Sequence, residues 1–224
     1  MLIAHRGFAG EKPENSLEAI RFSNDRADMV ELDVRETADG EFILSHDEDF
    51  SDLVISETDL EMLQETLQDS SPVLLEEALS VAKIPVLLEL KGSIDVQSFI
   101  ERVAQLEDSV PEILLQSFHP QHIQEISEVW GGRYGLLVPT WDLFDVHGVP
   151  PDSLVADRDI FMVSLLYNCS FIGLYMDKCR PSVVEACDGL GLDVYVWTIR
   201  DAEAWSKFSD RSVSGLISDY STFE

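Results

Sequence analysis

The chain has 224 residues, 45% of them apolar, which is enough for one domain with a sizeable core and too many for a disordered segment. Acidic residues outnumber basic ones 43 to 15, giving a formal net charge of −28. Such a charge repels nucleic acid and anionic membrane surfaces and argues against both as partners.

Five lysines stand against ten arginines, so the acidic excess fits either a protein of a salt-rich cytoplasm or an ordinary acidic protein. No run approaches the ~20 apolar residues of a membrane span. Residues 1–4 lead straight into His5 without a basic leader, so neither an anchor nor a secretion signal is expected. Cys169, Cys179 and Cys187 are odd in number and lack metal-type spacing, and they read as reduced thiols of a cytoplasmic protein.

Eight short apolar runs alternate with amphipathic segments. Residues 1–4 form the first and end at His5-Arg6. A helix follows over 16–26, with Leu17, Ile20 and Phe22 apolar and Asn15 or Ser16 as its cap. Residues 29–34 make the second strand, where Glu31 and Asp33 are two apart and share a face. Next comes a hairpin: 34–36 and 41–45 flank Thr37-Ala38-Asp39-Gly40, and the returning arm brings His46 back beside Asp33. Residues 48–71 are polar and read as a loop with a short helix over 59–67, placed where a lid or a substrate-selecting insertion could lie. Glu76-Glu77 begins a solvated helix. Strands at 86–90, 113–116, 135–138, 171–175, 194–198 and 215–218 then alternate with helices at 96–106, from Pro120, from Pro181 and after Asp201.

Eight mostly aliphatic strands with helical crossovers point to a single-domain (β/α)₈ TIM barrel with a hairpin after strand two that carries His46. The rival, an open doubly wound sheet, calls for a G-x-G-x-x-G loop after the first strand, and Arg6-Gly7-Phe8-Ala9-Gly10 does not have that spacing. Barrel enzymes build their sites at the C-terminal ends of the strands. Those ends carry His5 and Arg6, Glu31 and Asp33, Glu89 and Lys91, Ser117, Trp197 and Asp219. Three carboxylates on one rim repel unless a cation lies between them, and oxygen-only ligands favour Mg²⁺ or Ca²⁺, with Mn²⁺ a third hard ion of this kind. Two histidines can move a proton in each direction, and an arginine and a lysine can hold a phosphate. Together these are the parts of metal-assisted phosphodiester cleavage.

Taken in order, the motifs resemble the glycerophosphodiester phosphodiesterase family over nearly the whole chain. They are His5-Arg6-Gly7 with Pro13-Glu14-Asn15-Ser16, Glu31-x-Asp33, His46-Asp47, Glu89-x-Lys91, Ser117-Phe118, Val196-Trp197-Thr198 and Ser218-Asp219-Tyr220-Ser221. The resemblance implies a TIM barrel over residues 1–224 that hydrolyses glycerophosphodiesters to sn-glycerol 3-phosphate and an alcohol. It implies Glu31, Asp33 and Glu89 as metal ligands, His5 and His46 as the acid–base pair, and Arg6 and Lys91 as phosphate binders. Trp197 becomes a wall for the glycerol, and Asn15, Asp47, Ser117 and Asp219 become supports. Arg200 departs from the family's usual Asn, which bears on substrate preference. The alternatives are a lysophospholipase D-type lipid phosphodiesterase and a catalytically silent phosphodiester-binding barrel. Oligomeric state is left open. His119, His122 and His147 read as structural. Phe8, Phe50, Trp141 and Tyr175 read as core or rim packing rather than groove walls, and Glu14 as an acid favoured by the helix dipole.

Overall fold

Each apolar run predicted from the sequence forms a strand, because each is short, largely aliphatic and buried on both faces. In this computed structural model the described residues are 1–67, 71–138, 164, 166–209 and 212–223. The strands are β1 (Leu2–Ala4), β2 (Met29–Glu36), β3 (Phe42–Leu44), β4 (Asp49–Phe50), β5 (Leu53–Val54), β6 (Val86–Leu90), β7 (Ile113–Ser117), β8 (Tyr134–Val138), β9 (Phe171–Tyr175), β10 (Asp193–Ile199) and β11 (Gly215–Ser218). Around the molecule the order is β1-β2-β6-β7-β8-β9-β10-β11, and β11 pairs with β1. All eight of these pairings are parallel, so the sheet closes into a barrel.

Alternation along the strands sorts the core into two parts. Ile3, Leu87, Leu114, Leu137, Phe171, Tyr195 and Ile217 belong to one buried cluster, which fills the barrel interior. Val30, Leu32, Val86, Leu88, Leu115, Leu136, Ile172 and Val194 point the other way, into the larger cluster under the helices. Those helices are α1 (Leu17–Ser23), α2 (Leu60–Leu67), α3 (Leu75–Val81), α4 (Val96–Ala104), α5 (Pro120–Val129), α6 (Pro181–Gly189) and α7 (Ala202–Ser209). In α4, Val96, Phe99, Ile100 and Val103 are buried, and each full burial is worth about 1.5–3 kcal/mol. Asp95 caps that helix by accepting from the Ser98 amide at 3.1 Å, a contribution of about 1 kcal/mol. Ser16, rather than Asn15, caps α1, and Asp201 caps α7 as expected.

The hairpin forms as predicted. Val34, Arg35 and Glu36 pair antiparallel with Leu44, Ile43 and Phe42. Gly40 takes the positive φ of +82° that the turn requires. As the chain leaves β3, the Ser45 amide donates to the Asp33 carbonyl at 3.2 Å, which sets the next residue, His46, at the rim. The segment 48–67 is more ordered than the polar loop expected from composition. Its small β4–β5 hairpin and α2 place Ile55 and Leu63 against Ile43 in a separate core. His147 and Trp141 lie outside the described residues.

Candidate active site

The turn after β1 shapes one side of the site. His5, Arg6 and Gly7 form a single 3₁₀ turn in which Arg6 and Gly7 have φ of 51° and +80°. Gly7 is forced twice, because a Cβ there would also lie 2.5 Å from the Ala19 methyl. The bend aims the Arg6 amide at Glu31 Oε2, 2.9 Å away. His5 Nδ1 meets Asp219 Oδ1 at 2.5 Å, and Asp219 Oδ2 accepts from Arg200 Nε at 2.7 Å. An ionised carboxylate only accepts, so Nδ1 of His5 carries the proton and Nε2 is left for chemistry. Burial opposes ionisation of Asp219, yet His5 and Arg200 hold its carboxyl below the usual range.

Across the rim, His46 Nδ1 lies 2.8 Å from Asp47 Oδ1. Arg35, which the sequence reading did not single out, grips the His46 carbonyl through Nε at 3.2 Å and Nη2 at 2.9 Å. Burial, followed by the Lys91 charge, keeps the His46 pKa below the ordinary histidine value, so the ring is neutral near pH 7.

Between the histidines lie Glu31, Asp33 and Glu89, all buried, with one oxygen from each within 4.8 Å of the others. β2 and β6 align them, since Asp33 and Glu89 are register partners. Burial would raise the pKa of Asp33. The charges of Lys91 and Arg6, with the Asn15 amide donating at 3.0 Å, overcome burial and hold it well below the carboxylate range. Glu31 goes the other way: burial, then Asp33 and Glu89, push its pKa well above normal. Three buried carboxylates with oxygens this close together repel one another unless a positive charge lies between them. This hard donor set fits a divalent cation.

The expected phosphate binders are partly engaged here. Lys91 Nζ lies 2.7 Å from Glu89 and 3.3 Å from Asp33, while Arg6 reaches Glu14 at 2.9 Å and Asp33 at 3.2 Å. Glu14 is therefore an ion-pair partner and lies ahead of α1, not an acid on that helix's dipole. Ser117 does not line the cavity. Its hydroxyl donates to the Leu90 carbonyl at 2.9 Å and meets His122 Nδ1 at 3.0 Å, a brace behind Lys91.

A cavity of about 360 Å³ opens at this rim. One half is charged, with His5, Arg6, Glu31, His46, Glu89 and Lys91; the other is largely apolar, with Phe118, Leu137, Tyr175, Trp197 and Ile217. Tyr175, expected to be packing, forms part of the wall, whereas Phe8 is core and Phe50 joins the outer cluster. None of residues 48–67 lines this cavity. Gln116, on the apolar strand β7, was missed. The available signal was one polar residue two positions before Phe118, on the same inward face near a strand end.

A closed parallel barrel with its polar groups gathered at the C-terminal rim is the architecture of a TIM-barrel enzyme. The chain belongs to the Glycerophosphoryl diester phosphodiesterase family, whose model matches residues 5–222, and it is accordingly a phosphoric diester hydrolase. The YhdW protein of Bacillus subtilis is similar to it, at 26% identity over 99% of this chain and 95% of that protein. A glycerophosphodiester phosphodiesterase of Caldanaerobacter subterraneus is 23% identical over 98% of this chain and 93% of its own. Among solved structures, an Oleispira antarctica phosphodiesterase in complex with the product sn-glycerol-3-phosphate shares the fold. It has a TM-score of 0.80 and 22% identity, and the match covers 98% of this chain and 93% of that one. No helix among the described residues is long and apolar enough to cross a membrane.

Proposed function

We propose that the barrel over residues 1–224 acts as one catalytic unit that hydrolyses glycerophosphodiesters to sn-glycerol 3-phosphate and an alcohol in the cytoplasm, with a divalent cation, Mg²⁺ or Ca²⁺. The observation that carries this reading is the buried Glu31–Asp33–Glu89 cluster lying in one rim with His5 and His46. When bound there, a hard cation supplies Lewis-acid polarisation of a phosphoryl oxygen. Arg6 and Lys91 offset the charge on the other phosphate oxygens. One histidine takes a proton from the attacking oxygen and the other gives one to the departing oxygen, both through Nε2, because Asp219 and Asp47 engage their Nδ1 atoms. Asn15 and Ser117 hold Asp33 and the Leu90–Lys91 backbone in place. Trp197 offers an apolar wall to the glycerol carbons.

The test is release of glycerol 3-phosphate from glycerophosphocholine, with and without EDTA. Release should require the cation, and His5→Ala and His46→Ala should each lower kcat roughly 10²–10⁴-fold while keeping the wild-type melting temperature. Mg²⁺ or Ca²⁺ at about a hundred times its Kd should stabilise the wild type by about 2.7 kcal/mol and leave Glu31→Gln almost unmoved. EDTA-insensitive turnover would remove the metal from the reading. Faster cleavage of lysophosphatidylcholine than of the deacylated diester would replace the substrate.

A further inference from the structure

Gln116 is 1% exposed, lines the cavity, and has a side-chain carbonyl oxygen with no hydrogen-bond partner. Buried polar groups in native proteins are almost always matched, so an unmatched carbonyl oxygen on a cavity-lining side chain points to a partner outside the protein's own groups. The neighbours on its own face of β7, Leu114 and Phe118, are apolar. A leucine or methionine would sit beside them without leaving a polar group unmatched, so packing does not account for the amide. In register it stands between Glu89 of β6 and Gly135 of β8, at the seam where the charged half of the cavity meets the apolar half.

We propose that the Gln116 carboxamide hydrogen-bonds a hydroxyl of the glycerol moiety and gives the site its preference for polyol diesters over diesters without hydroxyls. The chemistry selects the group. The unmatched atom is an acceptor, so its partner must donate; a phosphate oxygen of an ionised diester cannot donate, and neither can a quaternary ammonium. The position agrees. With phosphorus over the charged half and the carbon chain along Phe118 and Trp197, a hydroxyl one or two carbons from phosphorus falls at the seam. The assignment rests on the glycerophosphodiesterase reading and adds to it the residue that recognises the retained alcohol.

The experiment compares the wild type with Gln116→Met on glycerophosphocholine and on bis(4-nitrophenyl) phosphate, which has no hydroxyl, at one fixed Mg²⁺ concentration. For the variant, kcat/KM on glycerophosphocholine should fall on the order of tenfold or more, chiefly through KM, and that on the aryl diester should stay within about twofold. Its melting temperature should equal or exceed the wild-type value. Binding of sn-glycerol 3-phosphate should weaken, and binding of ethyl phosphate should not. Equal losses on both substrates would assign Gln116 to the phosphate or the cation and overturn the proposal, and so would no loss on either. Should Gln116→Met fail to fold, Gln116→Leu is judged by the same ratio. A wild type that cleaves the aryl diester and no glycerophosphodiester would overturn the substrate reading itself, an outcome separable from a failure at Gln116.

Discussion

Glu31 and Asp33 are two residues apart on one strand face and carry nearly the same functional group, yet their surroundings drive them in opposite directions. Asp33 has Lys91, Arg6 and Asn15 against it. Glu31 has one amide and two carboxylates. His122 shows the same dependence on surroundings away from the chemistry. Burial, then His119, pushes its pKa down to about 4 from 6.5. Below pH 6.5 the unfolded chain takes up a proton there that the folded chain refuses, so this group's contribution to stability is complete above pH 6.5 and drains away toward pH 4. The expected slope is about 1.4 kcal/mol per pH unit in that window. Glu31 works in the opposite sense, since its raised pKa lets the folded state hold a proton that the unfolded state has lost. The measurement is therefore a difference: urea unfolding of wild type minus His122→Asn at pH 7.5, 6 and 5. A difference that does not change with pH would show that His122 is not held neutral.

At the scale of elements, tight backbone turns deliver the chemistry. The turn after β1 carries His5 and Arg6, and its shape depends on Gly7. Gly7→Ala adds a Cβ 2.5 Å from that of Ala19 at a φ of +80°. Backbone strain and overpacking each cost about 1–3 kcal/mol. Urea unfolding should thus show a loss of at least about 2 kcal/mol, and the surviving folded protein should turn over slowly because the His5–Asp219 contact moves. Wild-type stability in that variant would mean the turn relaxes at no cost. The hairpin does the corresponding work for His46, with Arg35 fastening the returning arm by its carbonyl. The hairpin was legible because Asp39-Gly40 sits between apolar arms. Arg35 was not, since its partner is a main-chain oxygen that any residue could supply.

For the molecule as a whole, the charge of −28 is a repulsive load spread over the surface, and it falls as salt shortens the Debye length from ~10 Å at 0.1 M to ~3 Å at 1 M. Moving from low to molar NaCl should raise the melting temperature by several degrees, where about 1 kcal/mol corresponds to roughly 2–4 °C for a chain of this size. An equally concentrated non-ionic solute such as sucrose serves as the control. A Tm that rises no further in salt than in sucrose would remove self-repulsion as a term in stability. The same load surrounds the cavity, where Arg6, Lys91 and Arg200 are the local positive groups.

Strand positions, the helix starts at Pro120 and Pro181, the hairpin and the order of the site motifs were all fixed by local pattern: runs buried on both faces, a turn dipeptide, and carboxylates spaced by two. Each is a property of neighbours along the chain, so the sequence alone determines it. Contacts that depend on barrel closure were left to the tertiary structure. His5 meets Asp219 across 214 residues because β11 comes to lie beside β1. Arg6 and Lys91 are drawn onto the carboxylates they flank, Glu14 pairs with Arg6, and Gln116 lines a cavity with its carbonyl oxygen unmatched. Periodicity says which way a side chain points from its strand. Only the closed barrel brings those directions to one point and decides which polar atoms find a partner there.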